Sequence, residues 1–243
     1  MTVELRYAAA TDVGKVREVN EDSYLAAPPV FVVADGMGGH AGGDVASAIV
    51  VEEFGALAGT AYDADSAVVA VAGALEASQR RIAEHAAGGV GRAAPGTTVA
   101  GVLLVEKGET ALLVVNLGDS RVYGMRAGEL WQVSRDHSLV QDLLDSGEIT
   151  PDEVADHPER HVITRALGGP GITDADLFWL AVGDVDRLLV CTDGVNGFVD
   201  DAAIRRILAG EPDSALAARA LVSAALDAGG EDNATAIVLD VVG

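Results

Sequence analysis

Four aspartates stand where the surrounding chain can hold a carboxylate rigidly. Asp35 follows the apolar run Phe31-Val32-Val33-Ala34 and precedes Gly36, and Asp193 follows Leu189-Val190-Cys191-Thr192 and precedes Gly194. Asp119 follows Leu113-Val114-Val115-Asn116-Leu117-Gly118, and Asp232 stands before Asn233 and the last apolar run. A carboxylate at the end of a buried strand is anchored by the core behind it, and a following glycine lets a backbone carbonyl turn toward the same point. Rigid oxygen ligands, with water in the remaining positions, are what hard divalent cations require. One Asp-Gly after a strand is ordinarily a turn. The whole set, joined by Glu21-Asp22 on an early strand pair, points instead to convergence at one end of a sheet sandwich. There, carboxylates repel one another unless a metal neutralises them.

The elements that position these residues follow from hydrophobic periodicity. Short strands are expected over residues 3–10, 23–27 and 30–34, the last two separated by Pro28-Pro29. Val45, Ala46, Ile49, Val50, Phe54 and Leu57 form one helical stripe, so the glycine-rich ribbon after Asp35 opens a helix. A second helix carries Val68, Val71, Leu75 and Ile82 behind the start signal Asp63-Ala64-Asp65-Ser66, and residues 88–96 form a glycine-rich connector. Strand character then returns over 98–105, 110–116, 121–125 and 130–133, which reads as an antiparallel meander. Residues 139–160 lose that character and gather Asp142, Asp145, Glu148, Asp152 and Glu153, predicting a short helix and a mobile surface flap. A strand at 187–192, helices at 202–208 and 215–226, and a strand at 234–242 complete the chain. This order is α+β, without the regular βα alternation of a doubly wound fold.

Composition removes several function classes. The 243 residues, 49% hydrophobic, suffice for one large domain with a full core, so a single domain over 1–243 is expected. No apolar run reaches the ~18 residues of a membrane span and no basic-then-apolar leader opens the chain, so a cytoplasmic protein is expected. A formal charge of −22 argues against a basic nucleic-acid-binding face. Cys191, in the run Leu188-Leu189-Val190-Cys191, reads as a buried thiol, and a lone cysteine excludes a disulfide framework. No Gly-Lys-Ser/Thr follows the glycines, which disfavours a nucleotide-binding loop.

The runs Arg17-Glu18-Val19-Asn20-Glu21-Asp22, Asp35-Gly36-Met37-Gly38-Gly39-His40, Gly96-Thr97-Thr98 and Gly118-Asp119-Ser120-Arg121 are followed by four more. These are Asp136-His137-Ser138, Ile163-Thr164-Arg165-Ala166-Leu167-Gly168, Thr192-Asp193-Gly194 and Asp232-Asn233-Ala234-Thr235. In order and spacing the chain resembles the metal-dependent PPM (PP2C-type) protein serine/threonine phosphatases, bacterial branch, over essentially its whole length. The resemblance implies a four-layer α-β-β-α sandwich with two central antiparallel sheets flanked by helices. It implies that Asp35 bridges two Mn2+ or Mg2+ ions, that the Gly36 carbonyl binds one of them, and that Asp193 and Asp232 complete the other. Glu21 and Asp22 would orient metal-bound waters, Asp119 with Asp193 resembles a third-metal site, and Arg17 matches the arginine that holds the substrate phosphate. The implied reaction is hydrolysis of phosphoserine and phosphothreonine in proteins by a water or hydroxide bridging the binuclear centre. The leaving alkoxide needs a proton, and His40 is the candidate donor because imidazole titrates near working pH.

Other implications concern partners and periphery. The substrates would be phosphorylated proteins, among them a serine/threonine kinase whose activation loop is reset, and the enzyme would act as a monomer. Relatives often carry a membrane-anchored tail after this domain, so a tailed parent is the alternative to a free soluble enzyme. His161, at the end of the flap, is a candidate substrate contact, whereas His137 reads as structural and His85 as a solvent-facing helix residue. The chain departs from the family pattern at Gly43-Asp44, where a glutamate commonly follows glycine, at His161 for asparagine and at Asn196 for serine or threonine. None of these is a proposed metal ligand, so they bear on the flap and substrate preference. A module that keeps the fold and senses a phosphoprotein or a cation without turnover is the competing reading; it would be expected to lose Asp35, Asp193 or Asp232.

Overall fold

The structure is a computed structural model that describes residues 3–38, 42–87, 95–107, 109–154, 157–169 and 174–242. Strand β3 (Val30–Met37) shows why the layers form. Val30, Val32 and Ala34 face helices α1 (Gly43–Gly55) and α2 (Ala64–Ala87) and share a core with Val50, Phe54 and Ile82. Phe31 and Val33 alternate to the other face, into a second core with Val190, Ile237 and Leu239. A strand covered on both faces needs apolar residues at consecutive positions, which explains the unbroken run before Asp35. Strands β10 (Arg187–Cys191) and β11 (Ala234–Val242) repeat the arrangement. Their Leu188, Val190, Ile237 and Leu239 fill the middle core. Leu189, Cys191, Ala236 and Val238 pack toward α6 (Asp201–Gly210) and α7 (Ser214–Asp227), against Ile204, Leu208 and Leu221. The result is helices, sheet, sheet, helices. Each fully buried Leu, Ile, Val or Phe contributes about 1.5–3 kcal/mol of transfer free energy, so the middle core welds the two sheets together.

One sheet has the order β1 (Glu4–Asp12), β11, β10, β7 (Arg121–Arg126), β8 (Glu129–Gln132). The other runs β2 (Asp22–Ala27), β3, β5 (Val99–Lys107), β6 (Glu109–Leu117), β9 (Asp176–Ala181), with the two-residue β4 (Gly96–Thr97) on β3. Neighbours pair antiparallel throughout both sheets. The expected meander is corrected here: β5 and β6 belong to one sheet and β7 and β8 to the other. The chain changes sheet at Gly118-Asp119-Ser120, where Gly118 has φ 111° and a Cβ would meet the Thr98 side chain at 2.6 Å. Strand β9 was not foreseen; it lies at a sheet edge with Phe178 and Leu180 turned inward and Leu177 and Trp179 exposed.

Helix starts are built in two ways. Ser138, Asp200 and Asp213 accept backbone N–H bonds from Gln141, Ala203 and Leu216 at the starts of α3 (Leu139–Ser146), α6 and α7. Such caps stabilise by about 1 kcal/mol each. Helix α1 begins instead behind Gly42, in the left-handed region at φ 110°, with no side-chain cap. The stretch expected as a flap carries α3 and the single turn α4 (Pro151–Val154). Among the described residues no helix is long and apolar enough to cross a membrane.

Candidate functional site

Antiparallel pairing brings one end of five strands together. Strands β3, β6 and β10 leave the sandwich there, while β2 and β11 enter it, so Asp22, Asp35, Asp119, Asp193 and Asp232 meet although more than two hundred residues separate the first from the last. Asp22 lies directly across from Asp35 in the β2–β3 register. Like charges directly opposite on paired strands destabilise a sheet, so this pair is unfavourable as structure alone. Two local details differ from expectation. Asp35 and Gly36 lie inside β3, and Asp193 opens a single helical turn, α5 (Asp193–Asn196), directly after Thr192.

Gly36 has a packing reason to be glycine. A Cβ there would meet the Gly43 carbonyl at 2.3 Å and the Glu21 carbonyl at 2.5 Å, so the start of α1 rests directly on the end of β3. Its N–H donates to the Glu21 carbonyl at 3.2 Å, and Ser47 of α1 donates to the same oxygen at 2.6 Å. A Cβ on Gly43 would in turn approach the Glu21 carboxyl carbon at 3.1 Å. Glu21 is therefore held between strand and helix.

Hydroxyl and amide groups fix the carboxylates. Asp22 Oδ2 accepts from Thr192 Oγ1 at 2.8 Å and from Thr235 Oγ1 at 2.7 Å, while its Oδ1 is buried with no partner. Asp119 is 7% exposed, and its Oδ1 and that of Asp193 are likewise buried without partners. Asp232 Oδ2 accepts from Arg17 Nη2 at 2.8 Å, and its Oδ1 accepts from the Asn233 backbone N–H at 2.9 Å. Asn233 donates through Nδ2 to the carbonyls of Val13 and Val19, at 2.8 and 3.0 Å, and accepts the Glu21 N–H at 2.8 Å. Sequence reading placed Asn233, Thr192 and Thr235 in motifs but gave them no role. Their adjacency to Asp232 and Asp193 was the available signal.

The electrostatics follow from burial and crowding. Burial, then repulsion by Asp193 and Asp22, lifts Asp35 far above the usual carboxylate range. Burial raises Asp193, with the neighbouring Asp35 carboxyl opposing the rise and repulsion from Asp232 adding to it. Burial raises Asp22 to about 7 against the pull of the two threonine hydroxyls. Asp119 rises to about 8 through burial, then repulsion by Asp193 and Asp136. Buried carboxylates held this close cannot all ionise without a compensating cation.

Divalent cations fit this donor set. Three buried carboxylate oxygens lack a partner, all ligands are hard oxygens, and a cation would take the place of the protons these groups otherwise retain. Among the described residues no three His, Cys, Asp or Glu side chains stand close enough together to hold a metal ion by themselves. Each ion would draw on one or two of these carboxylates, with carbonyl and water oxygens completing its shell. The residues for the core pair would be Asp35, Gly36, Asp193 and Asp232, with Glu21 and Asp22 alongside and Asp119 with Asp193 for a third.

The remaining candidates divide clearly. Arg17 lies beside Asp232, within the fields of Asp35 and Asp193, with its side chain 52% exposed. His161 is exposed but close enough to lower the Asp193 pKa. His40 lies outside the described residues. His137 is buried; its Nδ1 accepts from the Gly118 N–H at 3.2 Å and its Nε2 faces Asp176 at 3.2 Å, which suits a structural role. His85 is exposed on α2. Cys191 is fully buried and its thiol is raised to about 12 by burial, so it is inert.

The profile of the family described as Protein phosphatase 2C matches residues 15–226. The chain belongs to this family. Its relatives include the serine/threonine protein phosphatase PstP of Mycobacterium tuberculosis, 39% identical over 242 residues, which cover 100% of this chain and 46% of PstP. They also include the serine/threonine phosphatase stp of Listeria innocua, 31% identical, covering 95% of this chain and 93% of that protein. The chain thus spans about half the length of PstP and nearly all of stp. Family membership extends to the fold: the crystal structure of the catalytic domain of PstP, in complex with two manganese ions, superposes with a TM-score of 0.88 at 38% identity, covering 100% of both chains. The expected α-β-β-α sandwich is borne out in both the family and the fold.

Proposed function

We propose that the chain hydrolyses phosphoserine and phosphothreonine in proteins, using Mn2+ or Mg2+. The observation that carries this reading is the meeting of five aspartates at one end of the sandwich, with buried, partnerless oxygens on Asp22, Asp119 and Asp193. The manganese in the PstP catalytic domain supports it. When bound, the divalent cations supply Lewis acidity that lowers the pKa of water and offsets phosphoryl charge.

The chain's own residues supply position and proton control. Asp35 and Asp193, close enough to repel each other and rooted in β3 and at the end of β10, hold the centre; Asp232 holds it from the start of β11. Asp22, fixed by Thr192 and Thr235, keeps Oδ1 turned away from both hydroxyls, available to orient a water. Arg17 spends one N–H on Asp232 and has the fork geometry to grip two phosphoryl oxygens, which lysine lacks. His40 is assigned the proton to the leaving alkoxide, and His161 a contact to substrate. The presence of Asp35, Asp193 and Asp232 favours turnover over phosphoprotein sensing. Residues 1–243 act in this reading as one monomeric, cytoplasmic catalytic domain, with a flap at about 139–160 and protein kinases among its substrates.

The decisive experiment measures turnover of p-nitrophenyl phosphate and a phosphothreonine peptide with Mn2+, with and without EDTA, for the wild type and Asp193→Ala. Loss of a ligand worth several kcal/mol of charge stabilisation should lower kcat/KM about 10³-fold. Undiminished turnover in EDTA, or in the variant, overturns the reading.

A further inference from the structure

The loop that bears Arg17 has both of its ends tied to one side chain. Asn233 Nδ2 donates to the carbonyl of Val13, where the loop leaves β1, and to that of Val19, just before it reaches β2. Asn233 is 6% exposed, so neither bond competes freely with water. The same stretch of chain grips the loop at other points. The Lys15 N–H donates to the Gly230 carbonyl at 2.7 Å, and Gly14, at φ 81°, approaches the 230–232 backbone so closely that a Cβ would meet the Asp232 carbonyl at 2.4 Å. At the loop's tip Arg17 bonds Asp232. Val16 and Val19 remain 65% and 56% exposed, so apolar burial does not hold this loop. Polar ties to residues 230–233 do.

We propose that Asn233 is a positioning residue: a two-point clamp that closes the Arg17 loop and presents the guanidinium beside Asp232 in a fixed pose, ready for a phosphoryl group. The inference rests on the phosphatase reading for the role of Arg17, and on hydrogen-bond geometry alone for the clamp. Both clamping bonds come from the –NH2 of the amide, while its oxygen serves Glu21. Asn233→Asp therefore keeps the acceptor for Glu21 and replaces both donors with an oxygen facing two carbonyls. A clamp lost in this way frees the loop, so the substrate pays the ordering cost that the amide had already met.

Three measurements test it. Amide hydrogen exchange on the metal-free protein should speed up at least tenfold over residues 13–20 in Asn233→Asp, with α6 and α7 unchanged. With Mn2+ and p-nitrophenyl phosphate, KM and the inhibition constant of inorganic phosphate should rise about 10-fold, the lower range for lost supporting contacts, while kcat falls much less. Mn2+ affinity by calorimetry should stay within about threefold of wild type. The Asn233→Asp/Arg17→Ala double variant should lose no more than Arg17→Ala alone, since a clamp that acts through Arg17 has nothing left to position. Asn233→Ser, which adds no charge and is too short for both carbonyls, gives the same comparison should Asn233→Asp fold poorly. Unchanged exchange over 13–20 in both variants, fully additive losses, or a defect confined to Mn2+ affinity overturns the clamp. Absence of turnover by the wild type would defeat the phosphatase reading instead, and the exchange comparison on metal-free protein would still decide the clamp.

Discussion

The two ends of the sandwich solve the same problem with opposite signs. At one end Arg187 and Asp240 face each other across β10 and β11, and Arg187 Nε donates to Asp240 at 2.6 Å. The remaining guanidinium donors reach the carbonyls of Leu208, Glu211 and Pro212, closing the end of α6. At the other end Asp22 and Asp35 face each other across β2 and β3. Burying charge is costly unless it is paired and hydrogen-bonded. The Arg187 end meets both conditions from within the chain; the aspartate end meets them only in part, through Thr192, Thr235 and Arg17, and leaves carboxylate oxygens of Asp22, Asp119 and Asp193 buried and partnerless. A fold that satisfies its buried ions in one place and leaves them wanting in another marks the second place for an external cation.

Removing one partner at the satisfied end should give the largest stability loss. Arg187→Leu leaves Asp240 and three carbonyls uncompensated, and unfolding free energy should fall by about 3–5 kcal/mol, lowering Tm by roughly 10 °C. Denaturant titration checks the first figure and calorimetry the second; a loss below about 1 kcal/mol would show that the pair behaves as a surface ion pair. At the unsatisfied end the sign reverses. Asp119→Asn removes a charge disfavoured by burial and by Asp193 and Asp136. In EDTA at about pH 9, above the raised pKa, the variant should gain on the order of 1 kcal/mol. Saturating Mn2+ should abolish that gain if Asp119 is the ligand proposed above, because the variant would then forfeit it. A destabilised Asp119→Asn protein in EDTA would break the comparison.

Much of this was legible in the sequence, for a physical reason. Strands covered on both faces must be apolar at every position, so the runs ending at Asp35, Asp119 and Asp193 announced both the strands and the anchored carboxylates. What stayed hidden depends on partners far along the chain. β6 and β7 have the local pattern of a hairpin pair, and only three-dimensional packing at Gly118 sends them into different sheets. The Asp-Gly of Asp193 fits a turn as well as a helix start, so α5 was missed. Strand β9 is short and exposes every second residue, a weak pattern beside an acidic segment. The hydrogen bonds of Asn233 span 212, 214 and 220 positions, beyond any local reading.

The smallest expected effect lies between the two ends, at His137, where the comparison can be sharpened by pH. Burial holds this imidazole below its usual value of 6.5, against the favourable pull of Asp176, and its Nδ1 must stay unprotonated to accept the Gly118 N–H. The sign follows from linkage. Between the folded pKa and about 6.5 the unfolded chain binds the proton and the folded one does not. This group's contribution is therefore complete above the unfolded value and is lost as pH falls from about 6.5 through the folded value. The raised aspartates act oppositely in EDTA, because there the folded protein holds protons that the unfolded chain has released. His137→Asn keeps an oxygen for Gly118 and removes the titration, and its cost at neutral pH should be about 1 kcal/mol, that of one exchanged hydrogen bond. The difference in Tm between wild type and variant should narrow as pH is lowered from about 7 to about 5. A difference that widens would mean that His137 enters the folded state already charged, paired with Asp176; one that stays constant would mean that the pull of Asp176 cancels burial.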